Sequence, residues 1–485
     1  MQNLVRRLTT LKRKDDPKEL HGHKVFCDPV HDLITFRLPE EELLIKLIDS
    51  VPFQRLRRIS QLGVTSLVFH GAEHSRFAHS LGVVHLVRRI LASLKERHRS
   101  QSAWVEKLEV HEPYIVLAAL LHDIGHGPYS HLFETVAGFG RRYHKSHEDW
   151  TIEILTSPKS VVCQLLLEHD KETPDKVASI IKRSYPSRLA IDLISSQLDG
   201  DRLDYLMRDS LMTGTGHGHF DVEWLLRSLL IGERHGRQRL CVDGKRGIQS
   251  IESYAHARHL MHVQVYFHKT GRAFEAQLLN ILLFARHLLD KGDKIFAKSC
   301  SHSLAKALGK SQTSLEDYLA IDDVVVQANM DLWTRLKGNK ERRELAAACR
   351  AFYHERKPYG FVALEDKESL LAAREVIKRL DEELQSGKSL LRFSVHLDNC
   401  ESPVYKDVDY RRLGNGQVDE QDETVREESI WVKAEDEILP VEEHPRANVI
   451  RALSGVSWSG RRLFYDRRYE RTLDALFLRC GLSPE

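Results

Sequence analysis

The sequence predicts a mostly α protein: a helical core with a small hairpin and a C-terminal mixed α+β lobe. Three observations carry this. From about Glu40 apolar residues recur three or four apart through most of the chain, as in Phe77, Leu81, Val84, Val87, Leu91 and Leu94. The run EPYIVLAALLHD is apolar nearly all round, the mark of a central buried helix. Strand-like runs, LLRFSVHL and RRLFYDRRY, come only late.

Residues 1–23 form a basic lead-in, with six Lys and Arg against two Asp in residues 1–18. A solvated tail accounts for it; contact with nucleic acid is permitted but not required. Pro29 then discourages helix, so KVFCDPVHDLITF reads as extended chain and turn. Helices are expected over EEELLIKLIDS, PFQRLRRISQL and HSRFAHSLGVVHLVRRILASLKERH, and then over EPYIVLAALLHD, which stops at Gly125, Gly127 and Pro128. Further helices are expected at 147–156, 160–170, 188–210, 221–231, 248–265 and 270–290. Residues 236–248 alternate and turn at Asp243-Gly244, which suggests a hairpin. Beyond residue 310 helical patterns continue through SLEDYLAIDDVVVQANM, NKERRELAAACRAFYH and SLLAAREVIKRLDEELQSG. Residues 419–443 hold 11 acids against two bases and read as a mobile acidic loop.

The balance of 72 Lys and Arg against 70 Asp and Glu leaves no global basic field for coating nucleic acid. No membrane span is expected, because the longest apolar run, Tyr114 to Leu121, falls far short of the roughly 20 residues needed. Seven scattered cysteines without a CxxC pair fit neither a disulfide framework nor a cysteine zinc site, and place the chain in a reducing cytoplasm. The skewed number is histidine: 22 of 27 lie in residues 1–270. Imidazole is both a metal ligand and a proton carrier near neutral pH, so the chemistry belongs there.

Four residues stand out: His79 in SRFAHSLG, His122 and Asp123 in LLHDIGHGPYSH, and Asp201 in LDGDRLDYLMRD. Two imidazoles and two carboxylates suit a divalent ion (Mn, Mg, Fe, Co, Ni or Zn) with positions left open. A second set surrounds them: His126 and His131 in the following turn, Glu134, then His147 and Glu148, with His144 expected at the surface. A histidine beside a carboxylate is oriented and kept basic for proton transfer. Asp201, Tyr205 and Asp209 recur at i, i+4, i+8 on one helical face beside Arg202 and Arg208, a surface suited to a sugar and its phosphates. Arg76, Arg258, His262, Tyr266, His268 and Lys269 add cations and an aromatic able to grip polyphosphate. No GxxxxGK[ST] run is present, so side chains and metal must hold the phosphates.

From about residue 24 to 290 the chain resembles the deoxynucleoside triphosphate triphosphohydrolases of the HD superfamily. The strings VPFQRLRRISQLG, GAEHSRFAHSLGV, LLHDIGHGPYSH, DRLDYLMRD and VYFHK carry the resemblance. It implies a catalytic domain over 24–300; beyond it the residue patterns read as a helical extension over 301–390 and a C-terminal lobe over 391–485. It also implies hydrolysis of a dNTP to deoxynucleoside and triphosphate, with His79, His122, Asp123 and Asp201 holding the metal. His126, His131 and His147, partnered by Glu134 and Glu148, would polarise the α-phosphate and protonate the leaving 5′ oxygen. Arg76, Arg202, Lys269 and Arg258 would neutralise the triphosphate. Gln61 and Asp209 would bond the 3′-hydroxyl, and Leu62, Tyr205 and Tyr266 would crowd the 2′ position.

The resemblance further implies a homo-oligomer, a tetramer or dimer of dimers, activated by a nucleotide (GTP, dGTP or a dNTP) between subunits. Lys24, Asp49, Gln54 and Arg57 match that pocket, with Arg350 or Arg356 as candidates to complete it. Cys27 and Phe267 depart from the family pattern, which leaves the activating nucleotide and the preferred base open. The alternative is an HD-type phosphodiesterase or nuclease acting on oligonucleotides or cyclic nucleotides. Against it, the Asp201, Tyr205, Asp209 face with Gln61 and Leu62 suits a single deoxyribose.

Overall fold

A computed structural model describes residues 22–138, 144–296, 302–309, 313–403, 429–435, 437–454 and 457–483. The expected mostly helical architecture is what folds, with three small sheets. Most of the basic lead-in, residues 1–21, and residues 404–428, which include the first part of the acidic stretch, lie outside the described residues.

The chain enters through an antiparallel hairpin, His23–Asp28 against Asp32–Arg37, where extended chain was expected. Two long helices, Arg76–Arg97 and Ser102–Leu121, follow and form the centre of the main core. The second is apolar on every side over its last turns: Ile115 and Leu117 to Leu121 are all buried, which drives the helix through the middle of the domain and carries His122 and Asp123 in with it. Helix Gly200–Thr213 lies along Arg76–Arg97.

The structure corrects the sequence reading at three places. The stretch expected as one helix over 188–210 is two, Arg188–Ile194 and Gly200–Thr213. Asp199 breaks it by capping the second, its carboxylate accepting from the backbone N–H groups of Arg202 at 2.7 Å and Ser196 at 2.8 Å. The helix expected over 221–231 ends at Ser228, and the hairpin runs Leu229–Arg234 to Arg237–Asp243. Its turn is His235-Gly236, both at positive φ, and not Asp243-Gly244. Finally, the acidic stretch is not loop throughout. Trp431–Ala434 and Glu437–Pro440 are strands that extend the same sheet, Trp431 to Lys433 pairing in parallel with Cys241 to Asp243. Burial of Ile430, Trp431, Val432 and Val441 outweighs the charge that suggested a solvated segment.

Helices not foreseen include His131–Gly138 and Thr173–Ile181 and, later in the chain, His302–Leu308, Asn448–Leu453 and Glu470–Arg479. A second core gathers helices Lys269–Asp290, Asp323–Thr334 and Lys340–Tyr353. The C-terminal lobe packs helices Lys367–Gln385 and Glu470–Arg479 on a sheet in which Ser457–Tyr465 lies between Gly360–Ala363 and Val395–Pro403. Among the described residues no helix is long and apolar enough to cross a membrane.

Candidate metal centre and adjoining cavity

His79 leaves the first turn of its helix, His122 and Asp123 follow the end of the buried helix, and Asp201 stands in the first turn of Gly200–Thr213. The fold brings all four together. His79 Nε2 lies 2.9 Å from Asp201 Oδ1 and 3.7 Å from Asp123 Oδ2; His122 Nε2 lies 3.5 Å from Asp123 Oδ1 and 3.7 Å from Asp201 Oδ1.

The hydrogen bonds around these rings decide what the group can hold. His122 Nδ1 is 2.9 Å from the Ala119 carbonyl, which only accepts, so Nδ1 carries the proton and Nε2 presents a lone pair. That Nε2 is buried without a hydrogen-bond partner. His79 Nδ1 faces Asp204 Oδ2 at 2.8 Å, which turns its Nε2 the same way. The two Nε2 atoms therefore face two carboxylates, with His79 Nε2 in hydrogen-bond contact with Asp201 Oδ1, and a positive charge at their centre, a second proton on His79 or a divalent cation that displaces it, satisfies the set. The electrostatics agree. Burial pushes the His79 imidazolium down, but bonds to Asp201 and Asp204 outweigh it and raise the group to about 10. Burial likewise pushes Asp201 up, and the neighbouring His122 and His79 rings hold it below the usual carboxylate range. The pocket calls for positive charge, and the donor set fits a divalent ion.

The second histidine set is arranged differently. His126 stacks on His147, ring centroids 4.1 Å apart, with His131 edge-on to both. Glu134 Oε2 accepts from His147 Nδ1 at 3.1 Å and His131 Nδ1 at 3.4 Å, which holds its carboxyl low against the opposing effect of burial. Here the carboxylate accepts from both rings at once, and His131, Glu134 and His147 also lie close enough together to hold an ion. Gly125 permits the approach of His147: a Cβ there would lie 2.3 Å from the His147 carbonyl and 2.2 Å from Thr151 N. Ser146 and Asp149 form a capping box that starts the His147 helix in place. His126 Nε2 lies 3.2 Å from Asp123 Oδ1, linking the two sets; burial and then the Arg76 charge keep its pKa depressed. Glu148 departs from expectation. Among the described residues it bonds to no histidine, and it lines a cleft of about 200 Å³ with His122, Asp201 and Arg202, 4.0 Å from Arg183. His144 is exposed, as expected.

A cavity of about 580 Å³ opens beside the metal group and is lined by Gln61, Leu62, Arg76, His131, Tyr205, Asp209, His262 and Tyr266. Arg76 connects the two: its guanidinium pairs with Asp123, and its Nε donates to Ser130 Oγ at 2.8 Å. Asp209 accepts from Tyr266 Oη at 2.8 Å and pairs with His74 Nε2 at 2.7 Å. Among the described residues Gln61 Oε1 is buried without a partner, an acceptor suited to a ligand hydroxyl. Arg258 is buried behind Tyr205 and Tyr266; burial and its charge push His262 down to about 3. Arg202 lies on the metal side, 3.6 Å from Asp199. Lys269 is not drawn into the lining and sits over the Phe361 ring. The far wall, Phe267, Arg272, Glu275 and His396, reaches strand Val395–Pro403.

Of the residues expected to bind a second nucleotide, Gln54 and Arg57 are joined by an Arg57 Nε to Gln54 Oε1 bond of 2.9 Å, and Asp49 is exposed at the end of the preceding helix. Lys24 is exposed on the hairpin, and among the described residues no hydrogen bond or ion pair joins it to them. Arg350 donates to the Thr334 carbonyl at 2.7 Å and Arg356 to that of Leu67.

Sequence reasoning missed the residues that hold the loops. Segment 318–323 clasps them: Tyr318 Oη donates to the Gly125 carbonyl at 2.6 Å, and Asp323 accepts from Tyr129 N at 2.7 Å and Ser60 N at 2.9 Å. Tyr129 and Ser130 have φ of 51° and 57°, a conformation that this clasp helps to hold. Asp204 and His74 were missed as well; the only signals were an i+3 spacing from Asp201 and the GAEHSRF string.

Comparison with known proteins adds a lineage. The HD domain family model matches residues 76–199. The uncharacterized protein YwfO of Bacillus subtilis is 38% identical over 354 residues, 73% of this chain and 75% of its own length. A protein named deoxynucleoside triphosphate triphosphohydrolase SAMHD1 homolog, from Dictyostelium discoideum, is 30% identical over 60% of this chain; the chain spans 55% of that relative. Among solved structures, a phosphohydrolase from Bacteroides thetaiotaomicron superposes with a TM-score of 0.68 at 28% identity, over 92% of this chain and all of that one.

Proposed function

This chain belongs to the HD-domain family of metal-dependent phosphohydrolases, and from that premise we propose that it hydrolyses deoxynucleoside triphosphates to deoxynucleoside and inorganic triphosphate. The observation that carries the proposal is Arg76, which pairs with Asp123 of the metal group and also lines the cavity holding Gln61, Tyr205, Asp209 and Tyr266. A sugar in that cavity sets its 5′ phosphate beside the metal group.

His79, His122, Asp123 and Asp201 hold the divalent ion. Bound there, such an ion supplies Lewis-acid activation of water and phosphate. The chain's own side chains do the rest. Arg76, Arg202 and Arg258 compensate the phosphate charge, with Lys269 at the edge of the site. Gln61 Oε1 and Asp209 accept from the 3′-hydroxyl; Leu62, Tyr205 and Tyr266 close the space a 2′-hydroxyl would need. His147, oriented by Glu134 and stacked on His126, donates the proton to the leaving 5′ oxygen, and His131 bonds the phosphate. Glu148 borders the cleft on the metal side. The working form is a cytoplasmic homo-oligomer activated by a second nucleotide near Lys24, Asp49, Gln54 and Arg57. This part of the proposal is supported by the resemblance and by the exposure of Lys24, Asp49 and Arg57.

The test is product analysis by phosphorus NMR over four dNTPs and four NTPs, with Mg, Mn or Co and with or without GTP or dGTP. Triphosphate and nucleoside from dNTPs, absent in a His122→Ala, Asp123→Ala variant, is the expected result. Mononucleotides from oligonucleotides with no triphosphate from any mixture would replace this reading with a nuclease.

A further inference from the structure

We propose that the N-terminal hairpin is a working part of the metal centre: a buried relay from Asp28 through Arg208 and Asp204 positions the imidazole of His79. The inference rests on the metal reading above and is independent of the substrate.

His79 offers Nε2 to the metal group only while its Nδ1 proton is held, and Asp204 Oδ2 holds it at 2.8 Å. Asp204 is in turn immobilised. His31 Nε2, from the hairpin turn, lies 2.7 Å from its Oδ1, and Arg208 donates Nε to Oδ2 and Nη2 to Oδ1, both at 2.9 Å. Arg208 continues to the hairpin, Nη1 reaching Asp28 Oδ2 at 2.8 Å and Nη2 reaching Oδ1 at 3.2 Å. Asp28 Oδ1 also accepts the backbone N–H groups of Val30 at 2.9 Å and His31 at 3.0 Å, so the same carboxylate shapes the turn. The side chains of Asp204 and Arg208 are 0% exposed and those of His31 and Asp28 3% and 5%. A buried carboxylate held by four hydrogen bonds from three side chains has little freedom to tilt, and neither has the ring bonded to it.

One further observation ties this network to the helix that bears His79. The helix leaves a socket for the relay. At Gly82, three residues after His79, a Cβ would lie 1.8 Å from Asp204 Oδ1 and 2.4 Å from Arg208 Nη2.

The test is Mn²⁺ binding to the full chain by calorimetry, with the visible spectrum of the Co²⁺-loaded chain as a report on ligand geometry. Asp204→Asn is expected to weaken Mn²⁺ binding by roughly 10- to 100-fold and to shift the Co²⁺ bands. Asp28→Asn and His31→Gln, which touch no metal ligand, are expected to shift both in the same direction by less. They decide the matter if the Asp204 variant does not fold. Arg89→Ala, which breaks the exposed pair with Glu223, serves as a control that should bind like wild type. Wild-type affinity and spectrum in both hairpin variants would overturn the relay. A wild-type chain that takes up no Mn²⁺ would overturn the metal reading along with it.

Discussion

Two histidine clusters meet at Asp123, and they are built on opposite principles. In the buried one, His79 and His122 spend their Nδ1 protons on Asp204 and the Ala119 carbonyl, and turn Nε2 toward Asp123 and Asp201. In the outer one, His131 and His147 turn N–H groups toward Glu134, and the His131 side chain is 72% exposed. The same residue types are thus set for different work by what stands behind each ring. One cluster calls for a positive charge in a buried setting; the other pairs its rings with one carboxylate and has a face toward solvent, where protons exchange.

The sharpest way to break this comparison is to remove a ligand from the buried cluster. His79→Ala should lower Mn²⁺ affinity by more than the roughly 100-fold that outer-shell changes reach, and chelation should abolish hydrolysis in the wild type. Calorimetry and metal analysis after dialysis check both. Next in size is the outer cluster. Glu134→Gln or His147→Asn should cost roughly 10²- to 10⁴-fold in kcat while leaving metal content unchanged. If either variant lost its metal, the two clusters would be one site and the comparison would fail.

A smaller effect concerns the frame between them. Asp323→Asn leaves Tyr129 N or Ser60 N poorly bonded in a buried setting and should cost about 1–3 kcal/mol, read from urea unfolding. The smallest is a pH effect from the cavity wall. Burial depresses His396 from 6.5 to about 4 and His262 to about 3. The unfolded chain therefore takes up protons first as the pH falls. The stability these groups contribute is complete above about pH 6.5 and is lost as the pH drops toward 4 and 3. His396→Gln should flatten the decline in urea midpoint below pH 6.5 by on the order of 1 kcal/mol.

Much of this was legible because it is local. The apolar run ending at His122, the i, i+4, i+8 face of Asp201, Tyr205 and Asp209, and the helical periods after Glu40 each depend on neighbours in sequence. What escaped depends on partners far away. Asp204 reads as an ordinary polar residue until His31, 173 positions earlier, is placed against it. The Ser195 to Leu198 break in the long helix is decided by the Asp199 cap, which competes with an unbroken apolar period. Residues 431–440 look solvated by charge, and become strands only because the hairpin at 229–243 offers them an edge. Lys269 carries the expected charge, yet its place at the first turn of its helix sends it to Phe361.

The clasp made by Tyr318 and Asp323 bears on what counts as a portable module. Residues 76–199 match the HD domain, yet the loop that carries His126 through His131 is braced by side chains more than a hundred positions downstream of that stretch. Excised alone, the matching segment would keep His79, His122 and Asp123 and lose both Asp201 and the brace. The heritable unit of this chemistry is accordingly larger than its signature, and a graft or minimised version must reach at least residue 323 to carry the brace with it.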